Sequence, residues 1–277
     1  MSIKLTPFSA GCGAVVEDMQ LATLGPEQLA DLRQAFSEYG LLFFRNQNLS
    51  PENHLGFAKQ FGNIVLNKFF TPVSNYPDIA EVRKEPTQEM NIGGGWHTDH
   101  SYDDEPAMGS ILVARELPDS GGNTRFANLA AAYSGLPEEL KYKVASLRAI
   151  HSNEHIYGKG GYYESTDQAM VAKGDRVGRA THPIVIQHPL SKKSILYVNP
   201  GHTIAIEGMD STESKDLLDQ LYAHVDQSEF TCNFDWHPGS VAFWDNRATW
   251  HFANNDYQGQ RRLMHRITLA GCPLIAP

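Results

Sequence analysis

The 277-residue chain is poor in positive charge, in cysteine and in long apolar runs. Its 23 Lys and Arg are outnumbered by 32 Asp and Glu, giving a formal net charge of −9. That balance offers no basic stripe to a phosphate backbone or an anionic membrane, so no nucleic-acid or membrane partner is expected. No stretch approaches the ~18 consecutive apolar residues of a membrane span, and Glu17 and Asp18 interrupt any apolar leader behind Lys4. The three cysteines, Cys12, Cys232 and Cys272, lie far apart without a C-x-x-C pair, which argues against a zinc ribbon or redox dithiol and for a reducing compartment. A cytoplasmic protein is expected. Internal repeats, low-complexity tracts and Pro/Ser linkers are also missing, so residues 1–277 read as one domain, with 41% hydrophobic residues to build its core.

What the chain does have is a mixture of helical and strand periods. Gly25-Pro26 opens an amphipathic helix to about Tyr39, and Ser50-Pro51 starts a second that Gly62 closes. Further helices are expected over roughly 128–148 and 211–226. The runs LLFFR at 41–45, ILVARE at 111–116, SILYVNP at 194–200, SVAFWDN at 240–246 and LMHRITLAG at 263–271 read as strands. Strands fall on both sides of each helical insertion, so the expected fold is mostly β with added helices, a sandwich or barrel. Two stretches, 71–95 and 152–183, are too polar or glycine-rich for regular elements. The second, with Gly158, Gly160, Gly161, Tyr157, Tyr162 and Tyr163, reads as a substrate cover.

Chemistry begins at GGGWHTDHSY, residues 93–102. With 12 His and 32 acidic residues, chance alone supplies about one His-x-acid pair, so His97-Thr98-Asp99 needs context. The other such pair, His224 and Asp226, lies on a helical period, where residues two apart diverge. His97 and Asp99 follow three glycines in strand-like sequence, and positions i and i+2 of a strand share a face, so this pair can grip one metal ion. His100 would then point away, into a supporting role. A second imidazole would complete the two-histidine, one-carboxylate face that leaves positions open for oxygen chemistry. His251 stands out for this place, behind the strand SVAFWDN and fifteen residues before Arg266.

In order along the chain, HTD at 97–99, GGNTRF at 121–126, WDNRATWH at 244–251 and RRLMHR at 261–266 resemble the taurine dioxygenase/2,4-dichlorophenoxyacetate dioxygenase family of iron(II)- and 2-oxoglutarate-dependent enzymes. The resemblance covers nearly the whole chain. It implies a double-stranded β-helix of the jelly-roll type. It also implies iron(II) held by His97, Asp99 and His251, with the far carboxylate of 2-oxoglutarate on Arg266 and Thr124. The implied reaction uses dioxygen to hydroxylate, or oxidatively cleave, a small organic molecule, releasing succinate and CO2. A homo-oligomer is the expected state. The chemistry of the residues agrees: two neutral imidazoles and one carboxylate leave iron(II) net positive for a chelating 2-oxo acid, and a planar arginine fork suits the remaining carboxylate. Trp96 and Trp250, flanking two ligands, read as packing around the site.

The sequence departs from the taurine-processing members at the substrate side. Asn67 and Phe70 stand where those enzymes carry a histidine and a tyrosine, and Gly93 where they carry an asparagine. These exchanges remove polar partners from a sulfonate, so taurine is expected to be a poor substrate. Phe69, Phe70, Tyr102 and the tyrosine-rich cover suit an apolar or aromatic portion instead.

Two rival readings remain. His151-Ser-Asn-Glu154-His155 spells the H-x-x-E-H signature of a zinc hydrolase, although Gly158, Gly160 and Gly161 interrupt the helix that it needs. A non-catalytic barrel that binds a metal or small molecule would keep the ligands but not the Thr124 and Arg266 clamp.

Overall fold

A computed structural model describes residues 3–9, 11–162 and 177–277. The chain opens with β1 (Lys4–Pro7), β2 (Ala14–Glu17), α1 (Pro26–Tyr39), β3 (Leu41–Phe44), α2 (Pro51–Lys59), β4 (Ile64–Val65), β5 (Pro72–Val73) and β6 (Tyr76–Lys84). Next come β7 (Gly109–Glu116), β8 (Thr124–Asn128), α3 (Leu129–Gly135), α4 (Glu138–Val144), β9 (Arg148–Ser152), α5 (Glu154–Tyr157) and β10 (Arg179–Pro183). The rest is β11 (Val185–Gln187), β12 (Ser194–Leu196), β13 (Thr203–Ile206), α6 (Ser211–Val225), β14 (Thr231–Phe234), β15 (Val241–Asp245), β16 (Thr249–Ala253) and β17 (Arg262–Leu269).

Nine strands form the main sheet in the order β1-β2-β3-β15-β7-β17-β6-β5, with β4 on β17. Smaller sheets are β14-β8-β16, β10-β9-β13 and β11-β12. The main sheet is buried on both faces, which is why LLFF and VAFW read as continuous apolar runs. Its strands still alternate between two cores. Leu42 and Phe44, Ile111 and Val113, Val241 and Phe243, Ile267 and Leu269 pack with Leu32, Phe36 and Phe57 of α1 and α2. Leu41 and Phe43, Leu112 and Ala114, Ala242 and Trp244, and Met264 face Phe126 and Phe234 of the smaller sheet. The inner space between β17/β7/β15 and β8/β16 is therefore where inward side chains of two sheets meet.

The helix ends follow the sequence signals. Ser50 Oγ accepts from Asn53 N at 3.2 Å with Pro51 in the first turn of α2. Gly40, at φ 65°, ends α1 with its N–H on Phe36 O. The single helix expected over 128–148 is instead α3 and α4, broken at Leu136-Pro137, with Arg148 already in β9. The stretch 71–95 also differs from its irregular reading, since β6 is a nine-residue strand paired to β17. Of the expected cover, Tyr163 and residues up to 176 lie outside the described residues, and β10 occupies 179–183. No helix among the described residues is long and apolar enough to cross a membrane.

Candidate functional site

His97 and His251 meet through their backbones. The His97 N–H donates to His251 O at 3.1 Å, and the His251 N–H donates to His97 O at 2.9 Å, an isolated antiparallel bridge between a loop and β16. The regular strand expected around His97 reduces to this bridge. Asp99 is brought back by a turn in which His100 has φ 58°, with Thr98 Oγ1 anchoring the turn on Thr249 O at 2.8 Å. Ligand-capable atoms of His97, Asp99 and His251 lie within 4.8 Å of one another, and they form the sole such group of His, Cys, Asp or Glu among the described residues.

The donors are set up for a cation. His97 Nδ1 lies 2.7 Å from Gly95 O, so Nδ1 carries the proton and Nε2 offers a lone pair. That Nε2 is 3.8 Å from Asp99 Oδ1, and His251 Nε2 is 3.3 Å from Asp99 Oδ2. Burial, with His97 close by, pushes His251 well below its ordinary pKa and so toward the neutral, lone-pair form. Burial opposes ionisation of Asp99, but Arg266, His251 and His97 together hold it below the usual carboxylate range. Lone pairs converging on a carboxylate fit a divalent metal of the iron(II) or zinc type.

β8 and β17 complete the surroundings. In β8, register sets Phe126 opposite His251 and Thr124 opposite Ala253, so Thr124 shares the inner face with the His251 side. In β17, period two puts Arg262, Met264 and Arg266 on one face and His265 and Ile267 on the other. Arg266 is buried, donates from Nη2 to Asp99 Oδ2, and donates to Ser110 Oγ at 2.7 Å. Arg262 is buried too, with Nε and Nη2 lacking hydrogen-bond partners. The sequence reading did not single out Arg262; of the Arg261-Arg262 pair only Arg261 is partly exposed, ion-paired to Glu85 and Glu116.

His97, Asp99, His251, Thr124, Arg262 and Arg266 line one cavity of about 570 Å³. Its volume is that of a small-molecule site. Phe69 and Phe70 are almost fully buried in its wall, and Phe69 stacks on Tyr157 at 4.2 Å. Asn67 lines it as well, but its Oδ1 is used on Phe69 N and Phe70 N at 2.8 and 3.0 Å. Tyr102 packs its ring 4.9 Å from that of His202, a cavity histidine that burial pushes down to about 3. His100 also lines the cavity, contrary to the expectation that it points away, with Nδ1 2.9 Å from Asp103 Oδ2. Ile156, Tyr157 and Tyr162 extend the wall from the region expected to cover it.

Other expectations resolve against a ligand role. His224 Nε2 bonds Ala132 O at 2.8 Å and Asp226 pairs with Arg125, so the second His-x-Asp pair does not converge. His151 belongs to β9 and bonds Thr203 Oγ1 through Nδ1, while His155 bonds Gly201 O through Nε2. A strand and a four-residue helix replace the continuous helix a zinc hydrolase motif requires, so His151, Glu154 and His155 form no metal cluster. Trp250 is core, donating to Val198 O, and Trp96 is tilted against it at 6.0 Å. The WDNR segment earns its place as a buried turn. Asp245 accepts from Arg247 N, Nε and Nη2 and from His188 Nε2, shaping the β15–β16 turn ahead of His251.

Residues 4–268 match the family described as taurine catabolism dioxygenase TauD, TfdA. The chain belongs to this family. It is thereby a dioxygenase of the alpha-ketoglutarate-dependent class, alpha-ketoglutarate being 2-oxoglutarate. It is 34% identical to an (S)-phenoxypropionate/alpha-ketoglutarate dioxygenase of Sphingobium herbicidovorans, over 98% of this chain and 96% of the relative. It is 33% identical to an alpha-ketoglutarate-dependent sulfate ester dioxygenase of Pseudomonas putida, over 98% and 90%. A taurine dioxygenase structure from Burkholderia xenovorans superposes with a TM-score of 0.84 at 34% identity, covering 100% and 94%. TauD/TfdA relatives of nearly equal identity thus carry different substrate names, and overall similarity does not choose among substrates.

Two functional candidates escaped the sequence reading. Arg262 had a signal, because it shares strand parity with Arg266. His202 had none, since its approach to the site depends on the β12–β13 turn.

Proposed function

We propose that the protein is an iron(II)- and 2-oxoglutarate-dependent dioxygenase that hydroxylates or oxidatively cleaves a small organic molecule. The whole chain, 1–277, would be one catalytic domain built on a double-stranded β-helix, a reading supported by the inner space between its two facing sheets. The observation that carries the function is the pairing, in one cavity, of the His97/Asp99/His251 cluster with buried Arg262, whose Nε and Nη2 lack hydrogen-bond partners.

In this reading His97 Nε2, an Asp99 oxygen and His251 Nε2 hold iron(II). The bound metal supplies the chemistry by which dioxygen and 2-oxoglutarate oxidise a substrate C–H bond and yield succinate and CO2. The residues of the chain do the rest. Gly95 O keeps the His97 tautomer that presents Nε2. Arg262 and Thr124 receive the distal carboxylate of 2-oxoglutarate: a buried guanidinium with unused N–H groups calls for an anion, and Thr124 adds a hydroxyl. Arg266, the arginine named by the resemblance, contacts Asp99 and so stands at the metal end, where it steadies the metal-binding carboxylate and meets anionic groups gathered at the metal. Phe69, Phe70 and Tyr157 exclude water and favour an apolar or aromatic substrate body, and Asn67, its Oδ1 held by its own loop, leaves only its Nδ2 amide where the taurine enzymes carry a histidine.

The experiment is a co-substrate-coupled screen. Iron(II)-loaded protein, 2-oxoglutarate and dioxygen are incubated with aryloxy acids, alkyl sulfates, sulfonates and amino-acid derivatives, and succinate and oxidised product are counted. The proposal expects succinate matched to a hydroxylated or cleaved product for an aryl- or alkyl-bodied substrate, with taurine poor. Hydrolysis that needs zinc and no 2-oxoglutarate would overturn it.

A further inference from the structure

Trp236 lies two residues past β14, whose Phe234 is in register with Thr124 of β8. The indole Nε1–H donates to Thr124 Oγ1 at 2.9 Å in a buried setting. The ring packs edge-on against Phe234 at 4.9 Å, which fixes its plane. The Arg262 guanidinium carbon stands 5.8 Å from the centre of the same ring. One side chain therefore touches both residues assigned above to the distal carboxylate.

The bond to Thr124 has a direction. An indole N–H can only donate, whereas a hydroxyl has one proton and two lone pairs. The Trp236 bond consumes a Thr124 lone pair, and the hydroxyl proton finds no acceptor among the described residues. Thr124 lines the cavity, so the proton is free to be donated there. Without the indole N–H, the hydroxyl could turn its own proton away from the cavity. The aromatic face limits where the Arg262 fork can lie.

We propose that Trp236 is a positioning residue for the co-substrate: it fixes Thr124 as a donor and seats Arg262, so that both aim at one carboxylate. The inference rests on the co-substrate reading of Arg262 and Thr124. Its chemistry is specific to the N–H, since a phenyl ring at the position would keep the packing and lose the polarity.

The test uses the full chain loaded with Mn(II) and titrated calorimetrically with N-oxalylglycine, an unreactive isostere of 2-oxoglutarate. Trp236→Phe is expected to weaken N-oxalylglycine about five- to tenfold, the order of one lost hydrogen bond to a charge-binding group. Mn(II) affinity should stay within about twofold, and in turnover the 2-oxoglutarate KM should rise while kcat changes little. In a Thr124→Val background the same exchange should add less than about twofold, because its effect passes through the hydroxyl. If Trp236→Phe fails to fold, β-(3-benzothienyl)alanine at 236 keeps the fused ring and removes only the N–H. Parent-like binding by either variant overturns the proposal, as does an equal loss in the parent and Thr124→Val backgrounds. Loss of binding in Thr124→Val and Arg262→Ala, with parent-like Trp236→Phe, defeats this inference alone. No loss in any of the three defeats the co-substrate reading beneath it.

Discussion

The Arg266 guanidinium is hydrogen-bonded through Nη2 to Oδ2 of Asp99, and the same nitrogen donates to Ser110 Oγ at 2.7 Å. The contact ties β17 to the turn that carries Asp99. Four residues earlier on the same strand face, Arg262 has both Nε and Nη2 buried and unpaired, whereas Arg266 leaves only its Nε so. In the proposed reading the two arginines divide the cavity into a metal end and a carboxylate end.

That division predicts different phenotypes. Arg262→Ala should weaken 2-oxoglutarate by about 2 kcal/mol or more, the usual loss when one arm of a buried charge pair is removed, with iron binding retained. Arg262→Lys should recover little, for an ammonium lacks the planar fork. Arg266→Ala should disturb iron and 2-oxoglutarate affinity together, since it frees Asp99 as well. Arg261→Ala should stay near the parent, its partners being solvent-exposed carboxylates. Separate titrations of metal and co-substrate distinguish these; if Arg266→Ala alone lost 2-oxoglutarate while Arg262→Ala did not, the two roles would have to be exchanged.

Gly201 sits against His97. A Cβ there would come within 2.6 Å of His97 Cβ and 3.2 Å of Trp96 O. Gly201→Ala should therefore push His97 out of line and weaken iron about 10- to 100-fold, the scale of disturbances behind a ligand. Gly208, where an added Cβ meets nothing within 4 Å, has φ 72° and is a poor control; Gly56, equally open and helical, is the proper one. Metal titration of Gly201→Ala beside Gly56→Ala checks this, and equal affinities would show that His97 tolerates the intrusion.

Acid should destabilise the fold through a second buried cluster. Burial, with Arg115 and His265 adding to it, pushes His54 down to about 3, and burial with Arg115 pushes His265 down to about 4. Unfolded imidazoles titrate near ~6.5, so on acidification the unfolded chain takes up these protons first. Stability present above pH ~6.5 is then lost as pH falls toward about 4 to 3. For fully buried His54 alone the loss between pH ~6.5 and ~5 is about 2 kcal/mol by linkage. His54→Leu should flatten this slope in urea titrations run at several pH values. An unchanged slope would place the acid sensitivity elsewhere.

Much of the architecture was legible because strand and helix periods are local. Val241, Phe243 and Ala242, Trp244 alternate between two cores as a strand buried on both faces must, and Ser50-Pro51 and Gly25-Pro26 start their helices. The break at Leu136-Pro137 was present in the sequence but masked by the apolar spacing on either side. The site was legible less directly. His97 and His251 are joined by two backbone hydrogen bonds across the fold, which no spacing encodes, and it was the ordered motifs that linked them. Arg262 was not singled out although strand parity with Arg266 carried the information. Trp236 reaches Thr124 only through the β14–β8 register, a nonlocal fact.

The most direct test of the account is iron(II) and 2-oxoglutarate stoichiometry by anaerobic titration of the parent and of His97→Ala, Asp99→Ala and His251→Ala. Removing one of three ligands from an open site should weaken iron severely, because affinity depends on ligand number and geometry. The account predicts one iron and one 2-oxoglutarate per parent chain, the latter requiring the metal, and weak iron binding in each variant with the fold intact. Full iron affinity and turnover in any one variant would remove that residue from the site, and in all three would contradict the metal centre itself.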